Sequence, residues 1–170
     1  MLKILIILLF VISSSALAED KAVQWVSAGN DAYKLGNIDL AVMDYTKAID
    51  FNPNYAKAYD NRGVAYARLG SLDRAIDDFT MAIAVNLKDP EAYNNRGHAY
   101  AVKGNLTQSV FDYTHAIGNN AFYVKAYNNR ALAYFLLKEY GKAWEDVHTI
   151  QAIGGTVDPT LIRNLKKAAS

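Results

Sequence analysis

The residues whose types and spacing could do chemistry are three histidines, a register of aspartates and arginines, and a column of asparagines. His98, His115 and His148 stand without H-x-x-x-H or H-E-x-x-H spacing. The chain has no cysteine, so a metal centre lacks thiolates as well as paired imidazoles. The same absence removes disulfides, a thiol nucleophile and a lipidated N-terminal cysteine. No G-x-S-x-G, Walker A or G-x-G-x-x-G segment occurs, so serine hydrolysis and nucleotide binding have no motif to stand on. No cofactor and no metal are expected. Asn105-Leu106-Thr107 fits a glycosylation sequon, but Asn105 also sits where a helix needs a cap.

The charged register is more regular. Asp44, Asp78, Asp112 and Asp146 share one column, and Arg62, Arg96 and Arg130 follow the first three at 18 residues. A catalytic acid–base pair would occur once, whereas a pair repeated along the chain reads as a bridge between helices. The corresponding arginine position of the first copy is Ala28. That gap predicts a bridge from the second helix of one unit to the first helix of the next.

These columns belong to a period of 34. Ala58-Tyr59-Asp60-Asn61-Arg62-Gly63, Ala92-Tyr93-Asn94-Asn95-Arg96-Gly97 and Ala126-Tyr127-Asn128-Asn129-Arg130-Ala131 lie 34 residues apart. Trp25 and Gly29 supply a weaker copy upstream. The units are 22–55, 56–89, 90–123 and 124–157. Each reads as two helices, since Ala58, Tyr59, Arg62, Tyr66 and Leu69 recur at i, i+3, i+4 spacing on one face. Gly36, Gly70 and Gly104 end the first helix of three units, and Asn37, Ser71 and Asn105 follow as caps. Lys138-Glu139 takes that place in the fourth. Small residues recur where helices must approach closely (Gly29, Gly63, Gly97, Ala131 in the first helix and Ala41, Ala75, Ser109, Ala143 in the second). Large ones fill the spaces between (Trp25, Tyr59, Tyr93, Tyr127, then Tyr45, Phe79, Tyr113, Val147). Asp158-Pro159 opens a last helix with Leu161, Ile162 and Leu165 as its apolar stripe. A repeat array exposes an apolar face at its end, so residues 158–170 are read as a capping helix.

Composition agrees with a folded helical array. Of 170 residues, 52% are hydrophobic and 21% charged, with only three prolines, which excludes wholesale disorder and low complexity. Eighteen basic and seventeen acidic side chains leave a net charge of +1, which gives no footprint for nucleic acid. Residues 1–18 read as an address. Lys3 precedes the apolar run Ile4–Ile12, and Ala16-Leu17-Ala18 has the small-residue pattern of a cleavage site. The run is too short to span a bilayer as a stable helix. The expected product begins at Glu19, is periplasmic or secreted, and keeps no stable membrane insertion after signal cleavage.

The repeat resembles the tetratricopeptide repeat, whose signature W-x2-L-G-x2-Y…A-x3-F…P is matched in order and period. The resemblance covers nearly all of the chain after residue 18. Arg62, Arg96 and Arg130 depart from it, standing where the family usually has Leu. It implies an all-α, right-handed α-solenoid of four helix-turn-helix units plus the C-terminal capping helix. It also implies a concave surface, lined by the first helices, that receives a peptide or partner segment. The residues on that side would be Asn30, Asp60, Asn61, Asn94, Asn95, His98, Asn128 and Asn129. The Asn61, Asn95, Asn129 column looks like the ladder by which family members hold an extended peptide, and an amide suits that task because it both donates and accepts. Chaperone-binding relatives grip a carboxylate with a cationic clamp, but Val26, Glu91 and Asn95 replace its cations here. The expectation is therefore a non-enzymatic protein- or peptide-binding adaptor of the cell envelope. The alternative is a structural module that forms a homo-oligomer through the groove or the capping helix. Binding away from the asparagines would use the convex side, the loops, or the apolar end near Val102, Leu132, Phe135 and Leu136.

Overall fold

The computed structural model describes the backbone of residues 2–168 and the side chains of residues 17–168. The leader proposed at residues 1–18 therefore lies almost entirely outside the described side chains. Among those described, no helix is long and apolar enough to cross a membrane. The elements are α1 (Leu2–Lys34), α2 (Ile38–Phe51), α3 (Ala56–Arg68), α4 (Leu72–Val85), α5 (Pro90–Val102), α6 (Leu106–Asn119), α7 (Val124–Leu136), α8 (Tyr140–Ala152) and α9 (Pro159–Ala168). No strand occurs among the described residues. They form two compact units that divide between Val85 and Asn86.

Within each unit the helices stack as antiparallel hairpins, α1 on α2 and α3 on α4 in the first, α5 on α6 and α7 on α8 in the second. The turns share one device. Asn37 N–H reaches back to the Ala32 carbonyl and Gly36 N–H to that of Tyr33, a Schellman closure that satisfies two orphan carbonyls. The pattern repeats at Gly70-Ser71, Gly104-Asn105, Lys138-Glu139 and Gly154-Gly155. It requires a left-handed residue, and Lys138 adopts φ 63° where the other hairpins place glycine.

Burial follows the periodic pattern. In α4, Ala75, Ile76, Phe79, Ala82 and Ile83 are buried, an i, i+1, i+4, i+7, i+8 stripe that a 3.6-residue helix turns to one side. Close packing explains the small column. A Cβ at Gly29, Gly63 or Gly97 would meet the ring of Tyr45, Phe79 or Tyr113 at 2.5, 2.7 or 2.9 Å. Ala131 tolerates its Cβ where the facing residue is Val147, not a ring. In the second unit, α9 adds Leu161 and Leu165 to a cluster with Tyr127, Val147, Ile150 and Val157.

The charge register differs from expectation. Arg62 forks onto Asp78 through Nε and Nη2 at 2.8 Å, Arg96 onto Asp112 at 2.9 and 2.8 Å, and Arg130 onto Asp146 at 3.0 and 2.6 Å. Each pair lies within one hairpin, not between successive ones. Arg62 and Asp78 are equidistant from Gly70, so the antiparallel hairpin sets them side by side. The guanidinium is also level with the preceding hairpin, and its Nη1 donates to Thr46 Oγ1 at 3.0 Å. Thr46 can only accept there because its own hydroxyl proton goes to the Val42 carbonyl at 2.8 Å. Arg130 and Thr114 repeat this contact at 3.0 Å. Each fork is planar and serves one carboxylate, and the carboxylate it meets is in its own hairpin. Asp44, whose hairpin carries Ala28, finds its cation on α2 instead. Lys47 lies 3.6 Å from that carboxylate and 3.9 Å above the Trp25 ring, taking both partners an arginine would have had.

Candidate functional site

The three histidines are not brought together. His115 stacks on Tyr93 at a centroid distance of 5.2 Å and meets Phe111 in a tilted contact at 4.4 Å, and His148 stacks on Trp144 at 5.7 Å. All three are exposed, and His98 lines an apolar depression. No group of three His, Cys, Asp or Glu side chains suited to a metal occurs among the described residues.

The asparagine-rich residues divide into internal struts and groups left open. In the first unit Asn30 Oδ1 accepts from Tyr45 Oη at 2.9 Å and from Asn61 Nδ2 at 2.8 Å. Burial, then Tyr33 and Asp44, push the Tyr45 phenol up to about 12, so it stays a donor. Asp60 is 2% exposed and pairs with Lys57 at 3.6 Å, which removes it from any binding surface. In the second unit Asn94 is 1% exposed, and its Oδ1 accepts from Asn129 Nδ2 at 2.9 Å. Among the described residues the Asn94 Nδ2 has no partner. Asn128 is fully engaged: Nδ2 donates to the Val124 and Thr156 carbonyls, and Oδ1 accepts from Asp158 N–H at 3.1 Å. It pins the segment leading into α9. Asn95 is half-buried on α5. Asp60 and Asn94 thus serve the fold, both turned inward, whereas Asn128 in the same column is half-buried and also lines a depression beside α9.

Asn61 Oδ1 in the first unit and Asn129 Oδ1 in the second both receive no donor among the described residues, and in the second unit the amide adjoins a depression. A pocket of about 230 Å³ lies between α5 and α7, lined by His98, Val102, Leu106, Leu132 and Leu136 with Asn129 at its edge. None of its lining residues is Lys, Arg, Asp or Glu. Val102, Leu132 and Leu136 are 60%, 46% and 54% exposed, so this apolar surface meets solvent. Phe135, expected with them, packs instead into the core cluster beside Tyr140. A second depression of about 120 Å³ adjoins the first, sharing Asn129 and Leu132, and adds Asp158, Thr160 and Asn164. Small-molecule sites usually run to ~300–1,000 Å³, so the larger depression has the size of a side chain rather than of a cofactor.

Two amides face this double pocket with bonding capacity unused. Among the described residues Asn129 Oδ1 receives no donor, and Asn164 has no partner at either end of its amide. Asp158 Oδ1 accepts from Thr160 N–H at 2.7 Å, which caps α9 as the sequence suggests. Asn164, Thr160 and Asp158 escaped notice as site residues because α9 reads as a capping helix. The signal was the polar Asn164 only one turn from buried Leu161 and adjacent to Leu165.

Comparison with known proteins accords with this architecture. Models described as TPR repeat and tetratricopeptide repeat match residues 29–70, 56–89 and 90–122, together more than half of the chain. Among solved structures, the first TPR of Spaghetti (RPAP3) bound to the HSP90 peptide SRMEEVD is 29% identical. It has a TM-score of 0.69, and the match covers 71% of this chain and 95% of that one. A tetratricopeptide repeat protein from Parabacteroides merdae is 21% identical with a TM-score of 0.78, covering 88% of this chain and 60% of that one. The MamA protein is 23% identical with a TM-score of 0.73, over 85% and 77% respectively. No curated protein gives a significant match. With its helix pairs, its recurrent closures and these matches, the chain is an all-α helical-repeat solenoid, and it belongs to the tetratricopeptide repeat family.

Proposed function

We propose that the protein is a non-enzymatic scaffold that binds an extended segment of a partner protein in the second unit. The observation that carries this reading is the double pocket between α5, α7 and α9, where exposed aliphatic side chains adjoin amide groups that the fold leaves unused. An extended peptide supplies both requirements: a side chain to fill the apolar part and backbone groups to pair the amides. The related RPAP3 domain bound to an HSP90 peptide gives precedent for peptide capture. That peptide, SRMEEVD, is acidic, whereas Val26, Glu91 and Asn95 stand here at the clamp's cation positions. The ligand is therefore of another chemistry.

The setting we propose is the cell envelope, with residues 1–18 acting as an export signal. The apolar run followed by Ala16-Leu17-Ala18 supports it. Mass spectrometry of protein from the native host should find an N-terminus at Glu19, and intact Met1 in membrane-bound material would overturn the cleavage.

Binding is tested by capture. The protein, immobilised and exposed to envelope extract, should retain a partner whose affinity maps onto one short segment when overlapping peptides are scanned. Asn129→Ala should weaken that segment roughly 5- to 100-fold, the range expected when a buried peptide group loses its partner. Recovery of the protein's own copies alone would replace this reading with self-association.

A further inference from the structure

The double pocket is chemically asymmetric, and the asymmetry specifies a ligand. Its larger part has no Lys, Arg, Asp or Glu in its lining and is walled by Val102, Leu106, Leu132 and Leu136, with His98 beside them. A charged ligand group there would lose its hydration with no counter-ion to replace it. The smaller part ends at Asp158, whose Oδ1 is occupied by the Thr160 N–H and whose carboxylate forms no ion pair among the described residues. No basic side chain lines this part, and Arg163 on α9 donates through Nη2 to the Thr160 hydroxyl at 3.4 Å and not to the Asp158 carboxylate. Between the two stands Asn129, with Asn164 across from it on α9.

Resting on the reading above, we propose that the ligand is an extended peptide with a bulky aliphatic or aromatic residue and, nearby, a lysine or arginine. The apolar side chain fills the pocket between α5 and α7. The backbone beside it meets Asn129 Oδ1 through an N–H and the Asn164 amide through either group. The basic residue reaches the Asp158 carboxylate. Asn129 and Leu132 are neighbours on one face of α7, about 5–6 Å apart. An extended chain advances roughly 3.3 Å per residue, so that spacing corresponds to about two residues of the ligand. α9 is then a wall of the binding groove as well as a cover for the core, since Leu161 and Leu165 point into the cluster while Asn164 and Thr160 border the pocket.

The experiment is selection of a phage-displayed random decapeptide library on the whole protein, followed by titration of the enriched peptides against two variants. Leu132→Asp places a charge on an exposed position of the apolar pocket and should leave melting unchanged. Asp158→Asn removes the charge but keeps the oxygen that caps α9. Enriched peptides should share the apolar–basic pattern. Leu132→Asp should weaken them about 10- to 100-fold, equivalent to ~1.4–2.8 kcal/mol. Asp158→Asn should cost only about two- to fivefold, abolish the preference for Lys or Arg, and match the effect of added salt on the wild type. Peptides that bind but are acidic, or that ignore both substitutions, would overturn this inference while leaving peptide binding intact. Failure to enrich any peptide would remove the binding function as well.

Discussion

Replacing Arg130 by methionine should unfold the second unit's charge logic in a way that depends on pH. Arg130 holds Asp146 by two hydrogen bonds of 3.0 and 2.6 Å, and the two side chains are 16% and 4% exposed. Burial raises the Asp146 carboxyl above its ordinary 3.8, while the hydrogen bond and charge of Arg130 lower it and Glu145 raises it slightly. Methionine keeps much of the packing against Tyr127 and Tyr134 but removes both lowering influences. The carboxylate is then buried alone, which costs about 3–5 kcal/mol at neutral pH. For a two-state chain of this size that is a fall in Tm of roughly 6–20 °C. The sign with pH follows from linkage. A carboxyl whose folded pKa is raised contributes most below its unfolded value and loses that contribution as pH rises through the folded value. In Arg130→Met the folded value climbs further, so the deficit relative to wild type should be largest at pH 7 and shrink towards pH 4. Asp146→Leu added to Arg130→Met should recover most of the loss, because no charge remains to desolvate. Urea melts of the three proteins at both pH values would read this directly. Equal stability of Arg130→Met and wild type at pH 7, or a deficit that acid does not reduce, would refute the reasoning.

Three further outcomes test the packing. Lys138→Gly should stabilise the protein by about 0.5–1 kcal/mol in urea melts, since φ 63° strains any residue with a Cβ and glycine holds the equivalent turns. Gly97→Ala should destabilise by about 1–3 kcal/mol, because its Cβ would lie 2.9 Å from the Tyr113 ring; pairing it with Tyr113→Val, which copies the Ala131–Val147 combination, should recover part of that. Leu165→Ala, at a fully buried site on α9, should cost about 2–5 kcal/mol by thermal melting, and no change would show that α9 is not part of the core.

Which features were legible in the sequence follows from what periodicity encodes. A 34-residue repeat with glycine turns and alternating small and large columns dictates paired helices, because equivalent residues must find equivalent neighbours. The same equivalence left the charge register open. Arg62 is level with Asp44 across the connection before α3 and with Asp78 across the turn after it, so spacing alone could not choose between them. The missing arginine at Ala28 misled, because Lys47 serves Asp44 from another helix. Among the candidate site residues, a column showed shared direction but not which way it faced. Asp60 and Asn94 turned inward, whereas Asn129 borders the pocket. Asn164 was hidden by the evident structural use of its own helix.

The central claim, that a partner segment occupies the pocket of α5, α7 and α9, is tested most directly by methyl-resolved NMR of the protein titrated with a captured partner's mapped segment. The account predicts that the methyls of Val102, Leu106, Leu132 and Leu136 shift together and saturate at a single affinity. Shifts confined to methyls outside this pocket, such as those of Val23, Leu40 and Met43, with these four unmoved, would contradict it.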